Sequence, residues 1–164
     1  MMMKTLVAGL GNPILGDDGV GWVVAKKVEE QIKSIHPAIK IECYALAGIS
    51  LMEQMIGFER VILIDSLNTG KYPQGEVVTF TLDSLEDLTF GHSASAHDLS
   101  LKQALVLGRS MNADLPDDQQ VYVIAIEARH VYDFQESLTP EIEASVPIAV
   151  QEVLKVLKDN VEEQ

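Results

Sequence analysis

Residue types that could do chemistry stand at three places: Asp17 and Asp18 in a glycine-rich segment, Asp65 behind an apolar run, and His92 and His97 in a stretch of small residues. Carboxylate oxygens and imidazole nitrogens, if the fold gathers them, suit nickel or zinc. Asp18 lies within Gly9-Leu10-Gly11-Asn12-Pro13-Ile14-Leu15-Gly16-Asp17-Asp18-Gly19-Val20-Gly21. A dinucleotide fingerprint needs Gly-x-Gly-x-x-Gly, but Ile14 takes the last glycine position, and two adjacent carboxylates would repel a pyrophosphate. Asp17 and Asp18 also read as helix caps, since acids stabilise the positive end of a helix. Asp65 follows Ile62-Leu63-Ile64 at a strand end, where parallel sheets present functional groups; capping of the next turn is its plain alternative. Gly91-His92-Ser93-Ala94-Ser95-Ala96-His97-Asp98-Leu99 is a loop of small residues leading into a helix, and its two histidines, His92 and His97, are more suggestive than one, although a single histidine is most often structural or exposed. The serines there imitate a nucleophilic cluster, but a triad requires its base to be oriented by an acid held elsewhere in the fold.

The elements that must position these residues follow from periodicity. Short apolar runs alternate with amphipathic stretches, which predicts an α/β fold: one three-layer domain over residues 1–164, with a mostly parallel, twisted, five-stranded sheet and helices on both faces. Strands are expected near Thr5–Leu10, Lys40–Leu46, Arg60–Ile64, Glu76–Leu82 and Gln120–Ile126. The first, third and fifth are nearly continuous apolar runs, suited to central strands covered on both sides. Val78, Phe80 and Leu82 alternate with Val77, Thr79 and Thr81, the pattern of an edge strand, expected to run antiparallel. Val20, Val23, Val24, Val28 and Ile32 share one face of a helix from Gly19 to Ile35, and Leu101, Ala104, Leu105 and Gly108 repeat that spacing. Thr139-Pro140-Glu141 opens a last helix with a capping hydroxyl and proline at its first position; Pro147 should kink or interrupt it.

The bulk composition narrows the function classes. A chain of 164 residues can bury about 70% of its unfolded surface around one core. The formal charge of −13, from 25 acidic and 12 basic residues, argues against nucleic-acid partners, whose binding depends on cations displacing counterions. The single cysteine, Cys43, excludes an intramolecular disulfide and points to the reducing cytoplasm. No apolar run is long enough for a membrane span, so no membrane association is expected. His36 and His130 read as surface or packing residues, and Cys43 as a small inert thiol in a strand. Trp22, Met52, Met55 and Met111 fit either core or a binding surface.

The segment from Gly9 to Gly21 resembles the opening motif of the nickel-iron hydrogenase maturation proteases, and the likeness extends over nearly the whole chain. The resemblance implies an endopeptidase that removes the C-terminal extension of a hydrogenase large-subunit precursor once nickel has been inserted. It implies that Asp18, Asp65 and His97 contact the metal and serve catalysis, His97 through the context Ser95-Ala96-His97-Asp98-Leu99 and with His92 in reserve; three ligands without a visible fourth would leave the site open. No cofactor is then held permanently: the nickel belongs to the substrate, and zinc or cadmium could replace it in a crystal. The attack would come from a carboxylate or from a metal-bound water. Thr139-Pro140 also resembles the family's Leu-Thr-Pro segment. The chain departs from the family after the second strand, where Tyr44-Ala45-Leu46-Ala47-Gly48 stands in place of Asp-Gly-Gly. Two alternatives remain: a non-catalytic nickel chaperone using the same residues, and an esterase like the peptidyl-tRNA hydrolases. Those enzymes share Gly-Leu-Gly-Asn-Pro but continue into a Thr-Arg-His-Asn segment absent here.

Overall fold

The computed structural model describes residues 2–32, 36–84 and 95–159, with the backbone alone for residues 95–100. Five strands, β1 (Thr5–Leu10), β2 (Ile39–Tyr44), β3 (Arg60–Leu67), β4 (Val77–Thr81) and β5 (Val121–Glu127), form one sheet in the order β2-β1-β3-β5-β4. All neighbours are parallel except β4, which runs antiparallel to β5 at the edge. The three strands with continuous apolar runs are the three in the middle. Both faces of these strands are covered, so each residue along them gains by being apolar.

Four helices cover the sheet: α1 (Val20–Gln31), α2 (Gly48–Met55), α3 (Ser95–Ser110) and α4 (Pro140–Lys158). Side chains alternate across β3, and its alternation divides the core in two. Ile62 and Ile64 pack with Val20, Val24 and Val28 of α1 and with Ile142, Val150 and Val153 of α4. Val61, Leu63 and Leu67 pack on the opposite face with Leu51, Met52 and Met55 of α2 and Leu101, Ala104 and Leu105 of α3. On the α1/α4 face, Arg60 ties β3 to β1 and to α4 at one end of the sheet. Its buried guanidinium donates from Nε to Thr5 Oγ1 at 3.1 Å and from Nη1 to the Val156 carbonyl at 2.9 Å. Burial lowers its pKa from the usual arginine range.

Several local expectations change. Residues Gly48–Met55 form α2, which places Met52 and Met55 in the core. β2 ends at Tyr44 rather than Leu46, because Tyr44 is its last residue in register with β1. β3 continues past Ile64 to Leu67, since pairing with β5 persists to Leu67↔Glu127. The first helix ends at Gln31, and residues 33–35 of its expected span lie outside the described residues. α4 runs unbroken through Pro147, contrary to an interruption there. Pro147 is exposed, so the carbonyl that loses its helical N–H partner lies on the water-facing side.

Candidate active site

The sheet reverses its winding between β1 and β3. The chain leaves β1 through α1 toward β2 on one side, and returns through α2 to β3 on the other side. In open α/β sheets a crevice opens at such a point, beyond the carboxyl ends of the strands. Asp18 follows β1 and Asp65 lies near the end of β3, so the two carboxylates flank this crevice.

The glycines of the first loop make the approach possible. Gly9 on β1 and Gly21 on α1 face one another: a Cβ on Gly21 would collide with the carbonyls of Leu10 and Ile64. Gly11 has φ +128, and a Cβ there would strike the Asp18 backbone carbonyl. With these side chains missing, the loop folds back on itself. Asp18 Oδ2 accepts the Asn12 N–H at 2.9 Å, and Oδ1 accepts the Ser66 hydroxyl at 3.0 Å. The second bond joins the first loop to the residue after Asp65.

Asp65 sits within β3, opposite Ala125, and its Oδ1 accepts the Ser66 N–H at 2.8 Å. Alternation places Asp65 on the α2/α3 face and Ser66 on the α1 face. His97 belongs to the first turn of α3, on Asp65's side of the sheet; its side chain lies outside the described residues, as does all of His92. Among the described residues, no three His, Cys, Asp or Glu side chains gather closely enough to hold a metal.

Asp17 does not cap α1. The N-cap of that helix is Gly19, with no side-chain hydrogen bond. Asp17 is fully buried, and its carboxylate accepts the Thr139 N–H and the Thr139 hydroxyl, both at 2.8 Å. Thr139 is the N-cap residue of α4, but its hydroxyl makes no capping bond within that helix and is spent on Asp17 instead.

Glu127, which the sequence reading passed over, repeats this device. It is 1% exposed, and it takes the Thr69 hydroxyl at 2.7 Å and the Thr69 N–H at 3.1 and 3.2 Å. The signal available was the one used for Asp65: an acid closing a strand that is otherwise apolar. Ser66, also overlooked, has no signal beyond its neighbour.

The remaining candidates are accounted for locally. His36 and His130 are exposed; His36 Nδ1 accepts the Ala38 N–H, and His130 pairs with Asp133 at 3.0 Å. Burial pushes the Cys43 thiol up, with Lys26 partly offsetting it, so the reactive thiolate is disfavoured. Trp22 donates from Nε1 to the Tyr44 carbonyl at 3.2 Å, beside the crevice.

Comparison with known proteins bears on the family and the fold. Residues 46–156 match the family model described as hydrogenase maturation protease, a span that includes Asp65 and His97. The chain is 24% identical to the hydrogenase 2 maturation protease of Escherichia coli over 158 residues, covering 96% of this chain and 93% of that one. Among solved structures, the hydrogenase maturating endopeptidase HybD from E. coli superimposes with a TM-score of 0.78 at 24% identity, covering 96% of this chain and 94% of that one. The [NiFe] hydrogenase maturation protease HybD from Thermococcus kodakarensis gives a TM-score of 0.69 at 26% identity, with 95% and 100% covered.

Proposed function

The chain belongs to the hydrogenase maturation protease family, whose members are hydrolases, and from that premise we propose that it removes the C-terminal extension of a nickel-iron hydrogenase large-subunit precursor in the cytoplasm. In this reading the nickel arrives with the substrate, and Asp18, Asp65 and His97 engage it. One observation carries the proposal: the Ser66 hydroxyl joins Asp18 to the strand bearing Asp65, at the point where the sheet reverses and a crevice opens.

The two carboxylates have different parts. Asp18 spends one oxygen on a backbone N–H and the other on a hydroxyl, which fixes its orientation before any metal arrives. Preorganised ligands lose less freedom on binding. Asp65 projects from a rigid central strand, which gives a positional accuracy that a loop lacks. His97, in the first turn of α3, supplies a nitrogen ligand or carries a proton during peptide cleavage. Contact with the substrate's metal makes recognition depend on nickel, so an unloaded precursor lacks the feature that the site binds.

The test is to incubate the protein with nickel-loaded and nickel-free precursor and follow tail removal on a gel. We expect cleavage of the loaded form alone, and its loss in Asp18→Asn, Asp65→Asn and His97→Ala. Normal tail removal by Asp65→Asn and His97→Ala would refute these roles. Stoichiometric nickel retention without cleavage would favour a chaperone instead.

A further inference from the structure

We propose that Asp17 is the positioning residue for Asp18, and that it acts through Thr139, so that the N-cap of α4 sets the direction from which the metal-contacting residue leaves the backbone. This inference rests on the role given to Asp18 above.

Asp17 and Asp18 are consecutive in a 3-10 turn spanning Gly16–Gly19. Such a turn has three residues per revolution, so neighbouring side chains diverge by about 120°. Holding Asp17 therefore sets the direction in which Asp18 leaves the backbone, and the bonds to Asn12 and Ser66 fix its carboxylate from there. Asp17 points inward to Thr139, 122 residues away in sequence, while Asp18 reaches Asn12 and Ser66.

The surrounding backbone adds to this anchorage. Gly16 N–H donates to the Gln135 carbonyl at 2.7 Å, Asp17 N–H to the His130 carbonyl at 3.0 Å, and Gln135 N–H to the Ile14 carbonyl at 3.0 Å. Gly16 has φ +56, and a Cβ there would stand 2.7 Å from the His130 carbonyl oxygen. The segment leading to α4 is thus fastened to the loop before the carboxylate closes the contact.

The residue types fit a clamp. Thr139 offers two donors, and an ionised carboxylate is acceptor-only, so both bonds are satisfied at once. Asparagine would keep the bond from the Thr139 N–H through its Oδ1, but its NH₂ would have to donate to the Thr139 hydroxyl, which reverses that bond and removes the charge. The position suits a negative charge, since it lies at the N-terminus of a 19-residue helix, where the macrodipole is positive.

The experiment compares Thr139→Val, which keeps the shape and removes the hydroxyl donor, with Thr139→Ser, which keeps both donors, and with Asp17→Asn. Three quantities are read at a temperature where each variant is folded: the denaturation midpoint, the carboxyl ¹³C resonance of Asp18, and kcat and KM on nickel-loaded precursor. We expect Thr139→Val and Asp17→Asn to move the Asp18 resonance and lower kcat/KM by about tenfold or more, the scale of one displaced charged hydrogen bond. Thr139→Ser should stay within about twofold of the parent, because both its donors remain. Should Thr139→Val not fold, Asp17→Asn and Thr139→Ser decide. A folded Thr139→Val or Asp17→Asn with an unmoved Asp18 resonance and parental kcat/KM would overturn the proposal. Asp18→Asn separates the two claims: normal processing by that variant refutes the reading of the site, and the Asp18 resonance in the Thr139 and Asp17 variants still decides the clamp.

Discussion

A missing side chain at Gly21 lets α1 lie against two strands at once. A Cβ there would meet backbone carbonyls of Leu10 and Ile64, which cannot rotate away as a flexible side chain could. Gly21→Ala should therefore cost about 3 kcal/mol of stability through overpacking, read as a lower urea midpoint with unchanged m. Activity should fall as well, because α1 would be displaced from the turn that carries Asp18. Gly70, whose added Cβ would meet nothing within 4 Å, lacks that clash, although its φ of +69 still disfavours alanine. At this scale the sequence was informative about type and less so about purpose. Gly9, Gly11, Gly16 and Gly21 stand out as a motif, but the collisions that require them exist only in the folded chain: Gly9 and Gly11 against α1 and the turn before it, Gly21 against β1 and β3, and Gly16 against the segment after β5. Asp17 illustrates the same limit. An acid next to a helix start reads as a cap of that helix, and the partner it takes lies 122 residues later.

At the scale of elements, α4 tolerates Pro147 because that residue faces water and the buried stripe Ile142, Val146, Val150, Val153 and Leu157 is continuous beneath it. Alanine at 147 would restore an N–H to the helix ladder and remove the ring's clash. Pro147→Ala should raise stability by about 1–3 kcal/mol, seen as a higher melting temperature without loss of processing. The sheet was the most legible part of the molecule. Continuous apolar runs marked β1, β3 and β5 as central, and alternation in Val77–Thr81 marked the antiparallel edge. α2 escaped notice because eight residues give only two turns, too few for a helical period to stand out. The sequence pattern ends β3 at Ile64 because aspartate and serine are poor strand formers; pairing with β5 overrides that preference as far as Leu67. Thr139 was placed correctly at the N-cap, but its hydroxyl goes to Asp17, a choice set by tertiary contact.

For the whole molecule, the excess of 13 negative charges is a distributed cost of the folded state, because compaction brings like charges together. Added salt shortens the range of that repulsion to about 8 Å at physiological ionic strength. The denaturation midpoint should rise between 10 and 150 mM sodium chloride, roughly, and a flat or falling profile would contradict this account. The same charge keeps polyanions away, so a fluorescent tRNA should show no binding at moderate salt. None of the described helices is long and apolar enough to cross a membrane. Charge and length set these properties of the whole chain, while the crevice itself depends on strand order, which periodicity alone does not give.

The bond from Asp17 to Thr139 also has a timetable. A ribosome adding roughly ten residues per second needs on the order of ten seconds to make the intervening stretch. β1, β2 and β3 can emerge and begin to pair in that interval, while the glycine loop still lacks its far anchor. The turn that carries Asp18 therefore acquires its final restraint only after Thr139 has been synthesised and α4 has docked. Newborn chains halted before that point would carry both aspartates without the lock that orients the first of them.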